Sequence, residues 1–285
     1  MIWFTSKNKK VGKETNLKTL IKLNPIMSFF VLTFAFTWLW WGLVFVLNLS
    51  MAAGYIPFLI GASGPTVMAF VVSAINGGRQ DVKALWERIT YWRVGIVWYL
   101  AALFIPALIV LGGIGLNMFF GGALPDFKVL SAQWFLIPIA LIIGMLLGGP
   151  LEEEFGWRGF AIVKLQQIYN AFTASIIVGI IWGVWHLPAF LIPWSTQHSL
   201  PVFLFLLHDI ALAVLFTWIF NNTGGSVLMS MLAHAAFNLT ITILPVLPAT
   251  AGSQLPLTYA IALLYGLALI VLVIFGPRTL TREVK

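Results

Sequence analysis

Long apolar stretches, interrupted at a few places by charges and turn-forming residues, set the pattern of the chain. The intervals 23–78, 94–125, 129–151, 165–208 and 210–277 contain no Asp, Glu, Lys or Arg. A helix that is hydrophobic all round belongs in lipid or in a deep core, and about 20 apolar residues cross the hydrocarbon layer. Turn signals divide the neutral intervals at Asn48 to Gly54, Pro193 to Pro201, Asn221 to Gly225 and Pro245 to Pro256. The pattern predicts about eight helices, near 26–48, 54–76, 96–120, 131–149, 171–192, 202–220, 226–244 and 256–275. The expected fold is all-α, a polytopic bundle of transmembrane helices with no internal repeat.

Composition narrows this further. Of 285 residues, 60% are hydrophobic and only 9% charged, where a soluble domain carries about 25%. A surface this poor in charge faces lipid, so the bilayer is the first expected partner. The absence of cysteine excludes a disulfide scaffold and thiol chemistry. A net charge of +7 would suggest nucleic acid in a soluble chain; here its distribution reports orientation instead, and no nucleic-acid partner is expected. With eight spans and an internal N-terminus, 15 of the 16 Lys and Arg residues fall on one side, Lys128 being the exception. The positive-inside rule then puts both termini in the cytoplasm. The organisation read from this is a basic cytoplasmic tail at 1–22, a single bundle at 23–277 and a cytoplasmic C-terminus at 278–285. The tail does not read as a cleaved signal peptide. The segment 79–93 mixes basic residues with Trp86, Ile89 and Trp92 and is expected along the inner headgroups.

A charge at the centre of a membrane helix costs about 2.5–3.5 kcal/mol even on the lenient insertion scale, so ionisable groups in or beside the spans mark functional positions. The densest set is Glu152, Glu153 and Glu154, followed by Arg158 on the face of Glu154. Three adjacent carboxylates repel one another, so an apolar setting must pair or protonate at least one of them. An acidic first turn favoured by the helix dipole is the plainer reading of the same residues. If 151–168 and 171–192 form an antiparallel pair about Tyr169-Asn170, Glu153 lies 16.5 positions before the turn centre and His186 16.5 after it. The two then share one level, where a carboxylate and an imidazole can polarise water. This requires either that the fourth helix bend at Gly148-Gly149-Pro150 or that the arms protrude from the membrane. His234 and Asn238 share a face of the seventh span and suit an oxyanion; helix-to-helix polar glue is the alternative. His208 and Asp209 either stand behind these groups or line a wet cavity.

The series Glu153-Glu154-x-x-x-Arg158, Trp182-x-x-x-His186 and His234-x-x-x-Asn238 resembles the CPBP family of membrane proteases. That family includes type II CAAX prenyl endopeptidases and proteins linked to bacteriocin self-immunity. The approach Thr217 to Ser226 also resembles that family, and the recognisable part runs from about 129 to 245. Trp182 stands where Phe is commoner, and Glu152 is an additional acid. The resemblance implies a membrane endopeptidase in which Glu153 and His186 activate water, His234 and Asn238 hold the oxyanion, and Glu154 with Arg158 orients the site. It implies no cofactor and a peptide or protein substrate, lipidated or membrane-anchored. A bacterial plasma membrane is the expected location.

Three other readings stand beside it. Zinc held by Glu153, His186 and His234 would use suitable donors, although no HExxH occurs. Gly61-Ala62-Ser63-Gly64 matches the GxSG of a serine-type membrane protease, but suits a small-residue packing face better. A non-catalytic immunity or scaffold protein, or a transporter, would not need all three motifs.

Overall fold

The structure, a computed structural model, describes residues 16–282. Lys7, Lys9, Lys10, Lys13 and Lys285 of the basic termini lie outside the described residues. Among the described residues, eight helical segments are long and apolar enough to cross a membrane. They coincide with the eight read from the hydrophobic pattern, so the chain is an integral membrane helix bundle.

A short helix, α1 (Leu17–Leu23), is capped by the side chain of Asn16 and buries Ile21. The first span is α2 (Pro25–Val46), with proline in its opening turn, where the missing N–H costs nothing. The second is split into α3 (Met51–Ala62) and α4 (Gly64–Asn76) at Ser63. Here the small residues serve packing. Thr37 Oγ1 of α2 donates to the Gly61 carbonyl at 2.7 Å, and a Cβ on Gly61 would lie 2.6 Å from the Trp41 ring. The Ser63 hydroxyl donates to the carbonyl of Ile60 at 2.7 Å.

The basic segment forms its own helix, α5 (Arg79–Thr90), and the third span is α6 (Ile96–Phe119). A short α7 (Lys128–Gln133) leads into the fourth span. That span is a composite: α8 (Ile137–Leu147), a break at Gly148 and Gly149, α9 (Pro150–Glu154), a π-helix over Phe155–Ile162, and α10 (Val163–Leu165). Gly149 has φ of 110°, outside the reach of an L side chain, and marks the bend that the buried glutamates require. The fifth span is α11 (Ala171–Trp185), followed by a 3-10 turn over Leu187–Leu191. Next come α12 (Val202–Asn222), α13 (Val227–Ile243), the short α14 (Pro248–Ala251) and α15 (Leu255–Phe275).

The bundle packs α11 on α12, α6 on α13 and α15, and α2 on α3 and α4. In α8 no residue is buried; that helix meets α13 and α9 at the margin of the bundle. The core therefore lies among α9, the π-helix and α11 to α13, and it holds Trp157, Arg158, Trp185 and Glu154 fully enclosed. One end of the bundle is tied together by polar contacts. Ala171 N donates to Arg278 O at 2.9 Å, Asn221 and Asn222 donate to the carbonyls of Thr279 and Leu280 at 2.7 Å, and Ser226 Oγ donates to Tyr91 O at 2.6 Å. This end carries Lys164, Arg88 and Arg278 and corresponds to the side assigned to the basic residues.

Candidate active site

The break before α9 leaves backbone groups without helical partners, and each must find another. Glu152 turns back to accept from the Gly149 N–H at 3.1 Å, and Asn238 of α13 donates its amide to the Gly148 carbonyl at 3.1 Å. Glu152 thus acts as the cap of the helix that carries the next two glutamates. A Cβ on Gly149 would lie 2.8 Å from Glu153 Oε1 and 3.9 Å from Asn238 Nδ2, so Glu153 and Asn238 flank the same glycine.

Glu153 and Glu154 are buried, but their environments differ. Glu153 Oε2 accepts two indole N–H groups, from Trp182 at 2.5 Å and from Trp157 at 3.3 Å. Both donors are neutral indoles, so no cation is paired directly with Glu153. Glu154 Oε1 accepts from Arg158 Nη1 and from His234 Nδ1, both at 2.9 Å. Arg158, fully buried, lies over the rings of Trp182 and Phe216 at 4.8 and 4.9 Å. Those π faces compensate guanidinium N–H groups that have no oxygen acceptor in the protein. Arg158, Glu154 and His234 form one fixed unit.

His186 closes α11. Its Nδ1 stands 3.0 Å from the Trp182 carbonyl and 3.5 Å from Asp209 Oδ2. Both are acceptors, so Nδ1 bears the proton in the neutral ring and the Nε2 lone pair is left free. Asp209 also meets His208 Nδ1, at 3.1 Å from Oδ1. Phe205 packs between these histidines, with ring centroids 4.9 Å from His186 and 6.2 Å from His208. His208 and Asp209 therefore stand behind His186. His198, in the loop before α12, is spent on the Phe190 carbonyl at 2.8 Å.

The hairpin about Tyr169-Asn170 exists, and its arms meet one turn earlier than equal spacing predicts. Glu153 pairs with Trp182, and His186 lies one turn further along α11. The cause is the π-helix: more residues per turn means less advance per residue, so the arm from Leu165 back to Glu153 is shorter than an α-helix of that length. The chain does bend at Gly148-Gly149. Sequence reading missed Trp157 and the positive φ of Gly149. Trp157 was detectable in principle, four residues after Glu153 and on its face. Among the described residues, no group of three His, Asp or Glu side chains is arranged to hold a metal ion.

With this geometry in view, the likenesses to known proteins are direct. Both likenesses are to CAAX-type peptidases. The model of the Rce1-like family, the type II CAAX prenyl endopeptidases, matches residues 133–240, which contain all three motifs. The curated CAAX prenyl protease 2 of Methanococcus maripaludis is 27% identical over 236 residues, covering 79% of this chain and 86% of that protein. Over residues 133–240 the chain is thus similar to the Rce1-like family, the stretch in which its motifs lie.

Proposed function

We propose that this protein is a metal-independent endopeptidase that hydrolyses a peptide bond at the basic, cytoplasmic side of the bundle. The observation that carries this reading is the different wiring of two adjacent glutamates, Glu153 on neutral indoles and Glu154 on two cationic-type donors. Glu153, with no cation paired directly to it, acts as the general base. His186, with its proton on Nδ1, accepts from the same water through Nε2 and aligns it. The water oxygen attacks the scissile carbonyl carbon while its proton passes to Glu153, which then delivers it to the leaving amine.

The carbonyl oxygen becomes an oxyanion, and two donors suit it. Asn238 uses one amide N–H for Gly148 and keeps the other. His234 gives Nδ1–H to Glu154, held as a carboxylate by Arg158, so it offers Nε2–H only as an imidazolium. A cationic ring beside the developing charge is a strong stabiliser in a dry site. The substrate is a peptide or protein with a lipidated or membrane-anchored end, in line with the CAAX prenyl protease likeness. Both termini face the cytoplasm, in a bacterial plasma membrane.

Zinc is the second reading: with Glu153 Oε2 taken by two indoles and His234 Nδ1 by Glu154, it would draw on Glu153 Oε1 and on the Nε2 atoms of His186 and His234. Chelation by 1,10-phenanthroline should leave turnover unchanged; loss restored specifically by Zn²⁺ would overturn the metal-free reading. The deciding experiment is Glu153→Gln in a cell-based comparison of protein termini with wild type. The expected result is the disappearance of a defined set of cleavage products at equal protein level. Unchanged products in that variant sink the proposal.

A further inference from the structure

The segment that carries the glutamates has a far end, and two recesses meet on it. One is an apolar groove of about 890 Å³ between α2 and α11, lined by Ile26, Phe30, Phe34, Ile177 and Ile181. The other is a small cavity of about 110 Å³ beneath α5, lined by Asp81, Arg88 and Gly159. Lys164 and Gln167 line both, so the apolar groove ends against a cationic recess.

The charges in that recess are incompletely matched. Arg88 Nη1 donates to the Gly159 carbonyl at 3.2 Å, and Asp81 Oδ2 accepts from Asn76 at 3.2 Å. Among the described residues, no carboxylate lies within ion-pair distance of Arg88 or Lys164. Burial pushes the Arg88 guanidinium below its ordinary range, and the charge of Asp81 works against that. A nearby anion would favour both cations. Lys22 precedes Leu23 of the groove lining and adds positive charge at the same end.

We infer that groove and recess together form a binding site for one anionic phospholipid, its acyl chain between α2 and α11 and its phosphate beside Lys164 and Arg88. A soluble anion would use the recess and leave the groove empty of function; a neutral apolar molecule would use the groove and ignore the cations. Only a molecule with an apolar chain and an anionic head matches the juxtaposition, and the bilayer supplies it at the basic end. The site is separate from the reacting groups. The groove lining includes neither Glu153 nor His186; Trp38, whose indole donates to the Trp185 carbonyl at 3.0 Å, and Phe29, packed on Trp157 at 5.8 Å, join α2 to the elements that carry them. The lipid would instead brace the π-helix, whose Gly159 carbonyl Arg88 already holds.

The test is native mass spectrometry of the full-length protein in detergent, with phosphatidylglycerol or phosphatidylcholine added. Wild type should retain phosphatidylglycerol preferentially, and Lys164→Gln should weaken that retention about fivefold, the loss of one cation beside an anionic headgroup. Retention of phosphatidylcholine should not change. Lys164→Arg should keep the preference, which separates loss of charge from misfolding. Lys83→Gln, an exposed cation on α5, should have no effect. Equal retention of the two lipids by wild type overturns the inference. So do unchanged retention in Lys164→Gln, an equal loss in Lys83→Gln, and displacement of the lipid by inorganic phosphate.

Discussion

Glu154 and His234, 80 residues apart in the chain, meet at 2.9 Å between Oε1 and Nδ1 in the interior of the bundle. The same oxygen accepts from Arg158, which is fully buried. The contact fixes α9 to α13 and leaves Nε2 as the uncommitted ring nitrogen of His234.

Removing one partner of a buried ion pair strands the other charge, at a cost of about 3–5 kcal/mol. Glu154→Gln should therefore lower thermal stability in detergent and protein yield, whereas the adjacent Glu153→Gln should abolish hydrolysis and leave stability near wild type. Melting curves of the two purified variants check this. Equal melting temperatures would show that Arg158 does not depend on Glu154.

Trp182→Phe removes the indole N–H from Glu153 while keeping an aromatic face for Arg158. Loss of a hydrogen bond to a charged group costs about 1.5–3 kcal/mol, and Trp157 still holds Glu153. The expected result is a fall in kcat of about tenfold with little change in KM. Combining it with Trp157→Phe should fall well below either single variant.

Gly149→Ala places a methyl group against Glu153 Oε1 and forces a φ of 110° on an L residue. Displacing a catalytic group by about 1 Å costs on the order of 100-fold in rate. Steady-state kinetics should show that loss. Gly144→Ala, where a Cβ meets nothing within 4 Å on α8, should be neutral.

Asp209→Asn alters the group behind His186 without touching the reacting atoms. The Trp182 carbonyl still accepts from Nδ1, so the tautomer is held from one side. A moderate loss of about tenfold in kcat is expected, since a contact to a charged group is worth about 1.5–3 kcal/mol. A shifted pH profile at unchanged KM distinguishes positioning from simple destabilisation. His208→Ala should shift neither.

The eight spans were legible because lipid imposes length and apolarity on every helix, whereas the bend at Gly148-Gly149-Pro150 was one of two readings that the sequence left open. Glu154 with Arg158 was legible from i to i+4 spacing, and the structure has that pair. The exact facing of Glu153 was not. Equal spacing about Tyr169-Asn170 assumes the same rise on both arms, and local propensity in Phe155 to Ile162 gives no sign of π-helical pitch. The contact of His234 with Glu154 was also hidden, because pairing between distant helices depends on packing that hydropathy does not encode. Asp209 could be placed near the site but not assigned to His186.

The π-helix has a consequence for how the chain can vary in length. Each residue turns an α-helix by about 100°, and the wide turns between Phe155 and Ile162 already hold one residue more than α-turns would, so a further insertion there would rotate everything on one side of it. Glu153 and Glu154 would swing away from Trp182 and His234 while Lys164 and the turn to α11 stayed in place. Substitutions there can be judged one side chain at a time; insertions and deletions cannot. The stretch works as a ruler, and its residue count is constrained as tightly as the identity of the glutamates it aims.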